Sequence, residues 1–219
     1  MAAMRDILLI SDLDSVLCQT APRALRWVWD RFGVVVPPSA IRRYDMEYAV
    51  AEVMAAVDLG RSPEEIDAEL STCCWQNPQF YRGLEPRHEI WAALHGWQRR
   101  GLPLQFMTRR SEFLRPTTLS WLLEHGLVAN GSGALSPWPQ LILEAEKAER
   151  TAEVCAHYRR VIFLEDALVH AEAIAAASSA EVWLVQQPWN EDPVHERVER
   201  LCDSEISRRL AALGAELTS

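Results

Sequence analysis

Asp12 and Asp14 stand two positions apart in Ile-Leu-Leu-Ile-Ser-Asp-Leu-Asp-Ser-Val-Leu, residues 7 to 17. The run Ile7 to Ser11 reads as a strand, and alternate residues of an extended chain point the same way. Both carboxylates therefore leave the strand's C-terminal end on one side. Two acids so placed can bind a hard cation and divide the chemistry, one as nucleophile and the other as general acid/base, and Mg2+ suits such an all-oxygen site. The same spacing is also found in ordinary Asp-rich turns, so further groups must converge on it before it means a site.

Strand-like apolar runs occur at 7–11, 102–107, 161–164 and 182–185, with a weaker one at 141–143. Between them the apolar residues recur every three to four positions. Ile90, Trp91, Leu94 and Trp97 mark one helix, and Leu114, Leu119, Leu122 and Leu123 a second that stops at Gly126. Ala148, Ala152, Val154 and Cys155 mark a third, and 171–177 a fourth. Strand and helix in alternation predict an α/β fold, a Rossmann-like parallel sheet with helices on both faces. Ligands of such sheets bind beyond the carboxyl ends of the strands. Each strand delivers polar groups there: Asp12 and Asp14 after the first, Thr108, Arg109 and Arg110 after the second, and Glu165 and Asp166 after 161–164. Lys147 follows the weak strand, with Arg150 and Arg115 as rival cations.

The stretch 19–80 breaks the alternation. It is helical in pattern, with a break at Pro37-Pro38, a helix start at Ser62-Pro63-Glu64-Glu65, and only Val34-Val35-Val36 resembling a strand. A small helical cap inserted after the first strand accounts for it, leaving 1–18 and 81–219 as the α/β core. The cap and its edges carry Trp27, Trp29, Phe32, Tyr44, Tyr48, Trp75, Phe80 and Tyr81, which either build a small core or face the rim and stack on a planar ligand. Trp91, Trp97 and Trp121 are expected to pack in the core.

The 219 residues are 49% hydrophobic and 24% charged, with a net charge of −9. That charge argues against a nucleic-acid polymer or an anionic membrane as partner, but not against a small phosphorylated metabolite. Five cysteines, including the adjacent Cys73 and Cys74, fit neither a disulfide framework nor metal-ligand spacing. With no apolar run of about 18 residues and no secretory pattern, a cytoplasmic protein is expected. Nothing in the chain fixes an oligomeric state.

Taken together, these stations resemble the haloacid dehalogenase-like hydrolase superfamily. Ile-Ser-Asp-Leu-Asp-Ser-Val is similar to its first motif and Phe-Met-Thr-Arg to its second; Lys147 stands for the third and Ile-Phe-Leu-Glu-Asp for the fourth. Asp at the second position of the pair is the phosphatase pattern rather than the dehalogenase one. The resemblance implies Asp12 as nucleophile and Asp14 as acid/base, with Thr108, Arg109 and Lys147 on the phosphoryl group. It implies a Mg2+ cofactor held by Asp12, the Asp14 backbone carbonyl and Asp166, with Glu165 reaching the metal through water. Phe80-Tyr81-Arg82-Gly83-Leu84-Glu85-Pro86 and Gln187-Pro188-Trp189-Asn190 are similar to 5'(3')-deoxyribonucleotidase-like proteins. The implied activity is phosphomonoester hydrolysis through an aspartyl-phosphate on a nucleoside 5'-monophosphate. The alternatives are a sugar-phosphate or phosphoglycolate phosphatase, a phosphotransferase, or a binding protein of negligible turnover. Ser15 replaces the usual Gly, Glu165 the usual Asp, and His170 a frequent Asp or Asn.

Overall fold

Ile7 and Leu9 point to one side of the first strand and Leu8 and Ile10 to the other, and all four are buried. Only a strand covered on both faces reads this way. The computed structural model describes residues 5–42, 46–55, 60–127, 141–143, 145–190, 193 and 195–218. Six parallel strands lie in it: β1 (Arg5–Ser11), β2 (Leu104–Met107), β3 (Leu141–Ile142), β4 (Tyr158–Glu165), β5 (Glu181–Val185) and β6 (Val198–Leu201). Their order is β3-β2-β1-β4-β5-β6. The chain builds outward from β1 on one side, then crosses back to β4 on the other, which opens a crevice at the C-terminal ends of β1 and β4. Ser11 pairs with Phe106 on one side and Leu164 on the other. Asp12 is thus the next residue out, at the centre of the sheet.

Ile7 and Leu9 join a cluster with Ile90, Leu94 and Trp97 of α5 (His88–Arg99), Trp121 and Leu122 of α6 (Arg115–Glu124) and Ile206 and Leu210 of α9 (Asp203–Glu216). Leu8 and Ile10 pack against Val154 of α7 (Lys147–Cys155) and Ala171, Ile174 and Ala175 of α8 (Leu168–Ala177). The Rossmann-like sheet with helices on both faces is as expected. Two elements differ. β6 is four residues long, with only Val198 and Leu201 buried, too short for alternation to mark it. Val34-Val35-Val36 is not a strand; Val35 is exposed and no neighbouring edge pairs with it.

Residues 20–82 form α1 (Thr20–Phe32), α2 (Met46–Ala55), α3 (Pro63–Leu70) and α4 (Pro78–Arg82), with a turn of π-helix at Ser71–Trp75. Ser62 caps α3 as expected: its hydroxyl accepts from Glu65 N while the Glu65 carboxylate accepts from Ser62 N. Val28, Ile66, Leu70, Cys74 and Phe80 bury into the same cluster as Ile7 and Leu9, so these helices share the sheet's core. Trp27 and Phe32 pack edge-to-face and Trp29 is exposed; Tyr44 and the side chain of Tyr48 lie outside the described residues. No described helix is long and apolar enough to cross a membrane.

Trp97 and Trp121 are buried as expected, and Trp121 also fixes the end of the helical stretch. Its Nε1 donates to the Leu84 carbonyl at 2.8 Å, tying α6 to the segment after α4. Replacing Trp121 by Phe leaves that carbonyl buried without its donor. The expected loss is about 1–3 kcal/mol of unfolding free energy, read by urea denaturation.

Candidate active site

The crevice is closed by hydrogen bonds that cross from strand to strand. Asp12 N donates to Leu164 O at 2.9 Å, and Thr108 N to Ile142 O at 3.0 Å. Asp12, Asp14, Thr108, Arg109, Lys147 and Asp166 all line one cavity of about 540 Å³. Six residues separated by up to 154 positions in the chain thus face one space.

Lys147, the first residue of α7, turns its side chain to the centre and is buried there. Its Nζ lies 2.7 Å from Glu165 Oε2 and 3.2 Å from Asp12 Oδ1. The rival cations are engaged elsewhere: Arg115 with Glu112, and Arg150 with Glu153 at 2.7 Å. Glu165 is fully buried, and its second oxygen accepts from Asp166 N at 3.0 Å and Ala167 N at 3.1 Å. Its two oxygens are thus committed to Lys147 and the start of α8, so it positions the cation rather than facing the cavity. Asp166 does line the cavity. Its carbonyl accepts from Asn190 Nδ2 at 3.0 Å, and the same amide donates to Val185 O at 2.7 Å, fastening the ends of β4 and β5 together.

Asp12, Glu165 and Asp166 bring carboxylate oxygens within 4.8 Å of one another, and all three are buried. The Asp14 carboxylate is not in this group. Burial pushes the Asp12 carboxyl up to about 7 and Asp166 well above its ordinary range, with the neighbouring carboxylates adding to both. Burial acts on Glu165 too, but the Lys147 charge and hydrogen bond outweigh it and hold that carboxyl low. Lys147 is itself kept charged: desolvation is outweighed by Asp12 and Glu165. Asp12 Oδ1 is buried and accepts no hydrogen bond of good geometry, which leaves it a lone pair for another electrophile.

Asp14 has different company. Arg110 Nε and Nη2 donate to its two oxygens, each at 2.8 Å, and Thr20 Oγ1 donates to Oδ1 at 2.7 Å. Burial would raise the Asp14 carboxyl, but Arg110 overcomes that and lowers it. The sequence placed Arg110 on the rim without giving it a role; an arginine pair shows no sign of which member turns inward. Arg109 is exposed and lies 3.3 Å from His170 Nε2. Cys18, close to Arg110, has its thiol pushed up to about 12 by burial and carries no thiolate.

Of the aromatic residues between 19 and 81, Trp75 and Tyr81 line the cavity, and Trp189 joins them from the turn after β5. Among the described residues neither Trp75 Nε1 nor Trp189 Nε1 has a hydrogen-bond partner. Phe80 packs edge-to-face with Trp75 and Tyr81 beneath them.

Ser15 takes φ of 58°, the left-handed conformation that a glycine adopts freely. Its carbonyl accepts from Arg87 Nη1 at 2.6 Å and Gln187 Nε2 at 2.5 Å, and Arg87 is held in turn by both oxygens of Asp203. These bonds hold a backbone that a non-glycine residue resists by roughly 1–2 kcal/mol.

The fold is that of solved structures described as haloacid dehalogenase-like hydrolases. A haloacid dehalogenase-like hydrolase from Burkholderia xenovorans superposes with a TM-score of 0.53 at 14% identity, over 93% of this chain and 98% of that one. A protein assigned as a phosphoglycolate phosphatase from Lactobacillus delbrueckii gives 0.56 at 12% identity, over 94% and 99%. One assigned as a β-phosphoglucomutase from Thermotoga maritima gives 0.54 at 17% identity, over 95% and 99%. No family model and no curated protein matches the sequence. These solved structures share the fold, and among them are proteins assigned as a phosphoglycolate phosphatase and a β-phosphoglucomutase.

Ser15→Gly is expected to raise unfolding free energy by up to about 1 kcal/mol. Relief of the left-handed strain is partly offset by the greater freedom of glycine in the unfolded chain. A thermal melt that drops by several degrees would show that the serine side chain holds the turn.

Proposed function

We propose that the protein is a Mg2+-dependent phosphomonoesterase that works through an aspartyl-phosphate on Asp12. The observation that carries this reading is Lys147 buried between Asp12 and Glu165, beside Asp166 and Thr108, on the rim of one cavity. A core of 1–18 and 81–219 with a helical cap of 19–80 is the matching domain division.

A phosphate monoester is an anion that repels an anionic nucleophile. Lys147 would offset that repulsion at the atom that attacks, and the Thr108 hydroxyl and Arg109 would donate to the phosphoryl oxygens. Asp12 Oδ1, with its free lone pair, forms the bond to phosphorus as the ester oxygen leaves. Asp14, after taking up a proton from solvent against the Arg110 charge that lowers its carboxyl, would give it to that oxygen and then take the proton of the water that hydrolyses the aspartyl-phosphate. Asp12 and Asp166 fit a hard divalent cation: their buried oxygens face the cavity with more negative charge than Lys147 balances. The Asp14 carbonyl completes the protein's share of that set, with Glu165 at most reaching it through water. When bound, Mg2+ supplies charge neutralisation to the phosphoryl oxygens.

Trp75, Tyr81 and Trp189 on the cavity wall favour a planar leaving group, hence a nucleoside 5'-monophosphate. A sugar phosphate or phosphoglycolate is the second reading, favoured by the proteins of the same fold. A panel of phosphorylated metabolites with Mg2+ separates the two: nucleotides turned over best support the first, and preference for sugar phosphates or phosphoglycolate overturns it. Hydrolysis is expected to stop with EDTA and to fall at least a thousandfold in Asp12→Asn, measured by phosphate release. Phosphate passed to an acceptor other than water would identify a transferase, and a wild-type protein that binds Mg2+ without turnover a binding protein.

Protons and metal compete for the same oxygens. Asp12 titrates in the folded protein at about 7, above its unfolded value of 3.8. Between those values the folded state binds more protons than the unfolded one, so the contribution of Asp12 to metal-free stability falls as pH rises through that window. Mg2+ is therefore expected to bind more weakly below pH 7, by about tenfold per pH unit for one displaced proton, in calorimetric titrations. Asp12→Asn should flatten the dependence; an unchanged slope would remove Asp12 from the metal set.

A further inference from the structure

Two buried cations stand in the crevice, and they share no carboxylate as a direct partner. Lys147 serves Asp12 and Glu165; Arg110 serves Asp14. The Arg110 side chain is 1% exposed. Its guanidinium lies 4.2 Å from the centre of the Tyr81 ring, and Nη1 donates to Thr118 Oγ1 at 3.2 Å. Tyr81 belongs to α4 and Thr118 to α6, so the group is held from two elements before it meets Asp14.

The Asp14 carboxylate accepts from Arg110 on both oxygens and from Thr20 on one. A guanidinium fork bound through two nitrogens fixes the plane of a carboxylate as well as its place; an ammonium fixes only the distance. Thr20 opens α1, and its hydroxyl also accepts from Ser15 N at 3.4 Å, so the same contact ties the carboxylate to its own turn.

We propose that Arg110 is a positioning residue for Asp14, its fork and the Thr20 hydroxyl fixing where the proton-transfer carboxylate stands against the leaving group. The inference rests on the assignment of Asp14 as acid/base given above. Arg110 acts through Asp14 and takes no part in holding Asp12. For kcat/KM, which reports formation of the aspartyl-phosphate and not its hydrolysis, its loss should therefore matter where the leaving oxygen needs a proton, and little where it does not.

The test compares kcat/KM with Mg2+ for β-glycerophosphate, whose alkoxide must be protonated, and p-nitrophenyl phosphate, whose phenolate leaves unaided. In Arg110→Gln the first is expected to fall at least about tenfold more than the second, as it should in Asp14→Asn, within the range of lost acid–base assistance. The double variant should be no worse than Asp14→Asn alone. Arg110→Lys should restore only part of the difference. Equal losses on both substrates, or a further loss in the Asp14→Asn background, would overturn the proposal. Should Arg110→Gln fail to fold, Thr20→Val removes the third donor with little change of shape. A smaller skew of the same sign supports the proposal, and no skew overturns it. A wild-type protein that hydrolyses neither ester would refute the phosphatase reading, and this inference with it.

Discussion

Three buried carboxylates around one buried ammonium set the terms for the whole crevice. Asp12, Glu165 and Asp166 lie within 4.8 Å of one another, with Lys147 the cation in contact. Fully ionised, three negative charges against one positive leave two uncompensated on side chains that are almost wholly buried. Desolvating even one unpaired charge costs several kcal/mol. The protein relieves this in the only ways open to it: protons on Asp12 and Asp166, whose carboxyls are accordingly raised, or a divalent cation whose charge matches the deficit. A deficit of that size is what a hard divalent cation would remove, which is the role the proposed function gives to the cation.

Such strain has to be carried by a scaffold that cannot relax. Parallel strands provide it, because each acid leaves a strand whose neighbours are hydrogen-bonded on both sides. Asp12 is anchored to β4 through Leu164, and Asp166 is tied to the end of β5 through Asn190. Asn190 is itself locked, its Oδ1 accepting from Arg200 Nε at 2.9 Å and from Gln187 N at 3.1 Å. The edge strand β6, which supplies Arg200, thereby supports the loop that carries Asp166 from two strands away.

That chain of support marks where reading the sequence succeeds and where it stops. β1 was legible because a doubly covered strand is apolar throughout, and Asp12 because nothing apolar excuses an acid at its end. Thr108, Lys147 and Asp166 gained meaning only jointly, each following a strand that the parallel order brings to one rim. β6 was invisible because two buried residues in four make no pattern. Arg110 was invisible for another reason: whether a polar residue after a strand turns in or out depends on Asp14 and Thr118, 96 and 8 residues away. Trp75 and Tyr81 could be named among the aromatic candidates but not separated from Trp29, because the faces of a short helical stretch are decided by what they pack on.

Ser15 shows how these levels combine. A serine where a glycine would be at ease costs backbone strain, yet its carbonyl is gripped by Arg87, which precedes α5, and by Gln187 in the turn after β5. Asp14, one residue earlier, is gripped by Arg110 and Thr20 from β2's rim and α1. The dipeptide between β1 and the helical stretch is therefore held at both of its polar groups by four different elements. A glycine turn is placed by its own freedom; this one is placed by its neighbours. The position of the Asp14 carboxylate has in this way become a property of the surrounding fold, which is why, under the proposed acid/base role, a residue as distant in sequence as Arg110 can be expected to set how Asp14 meets a leaving group.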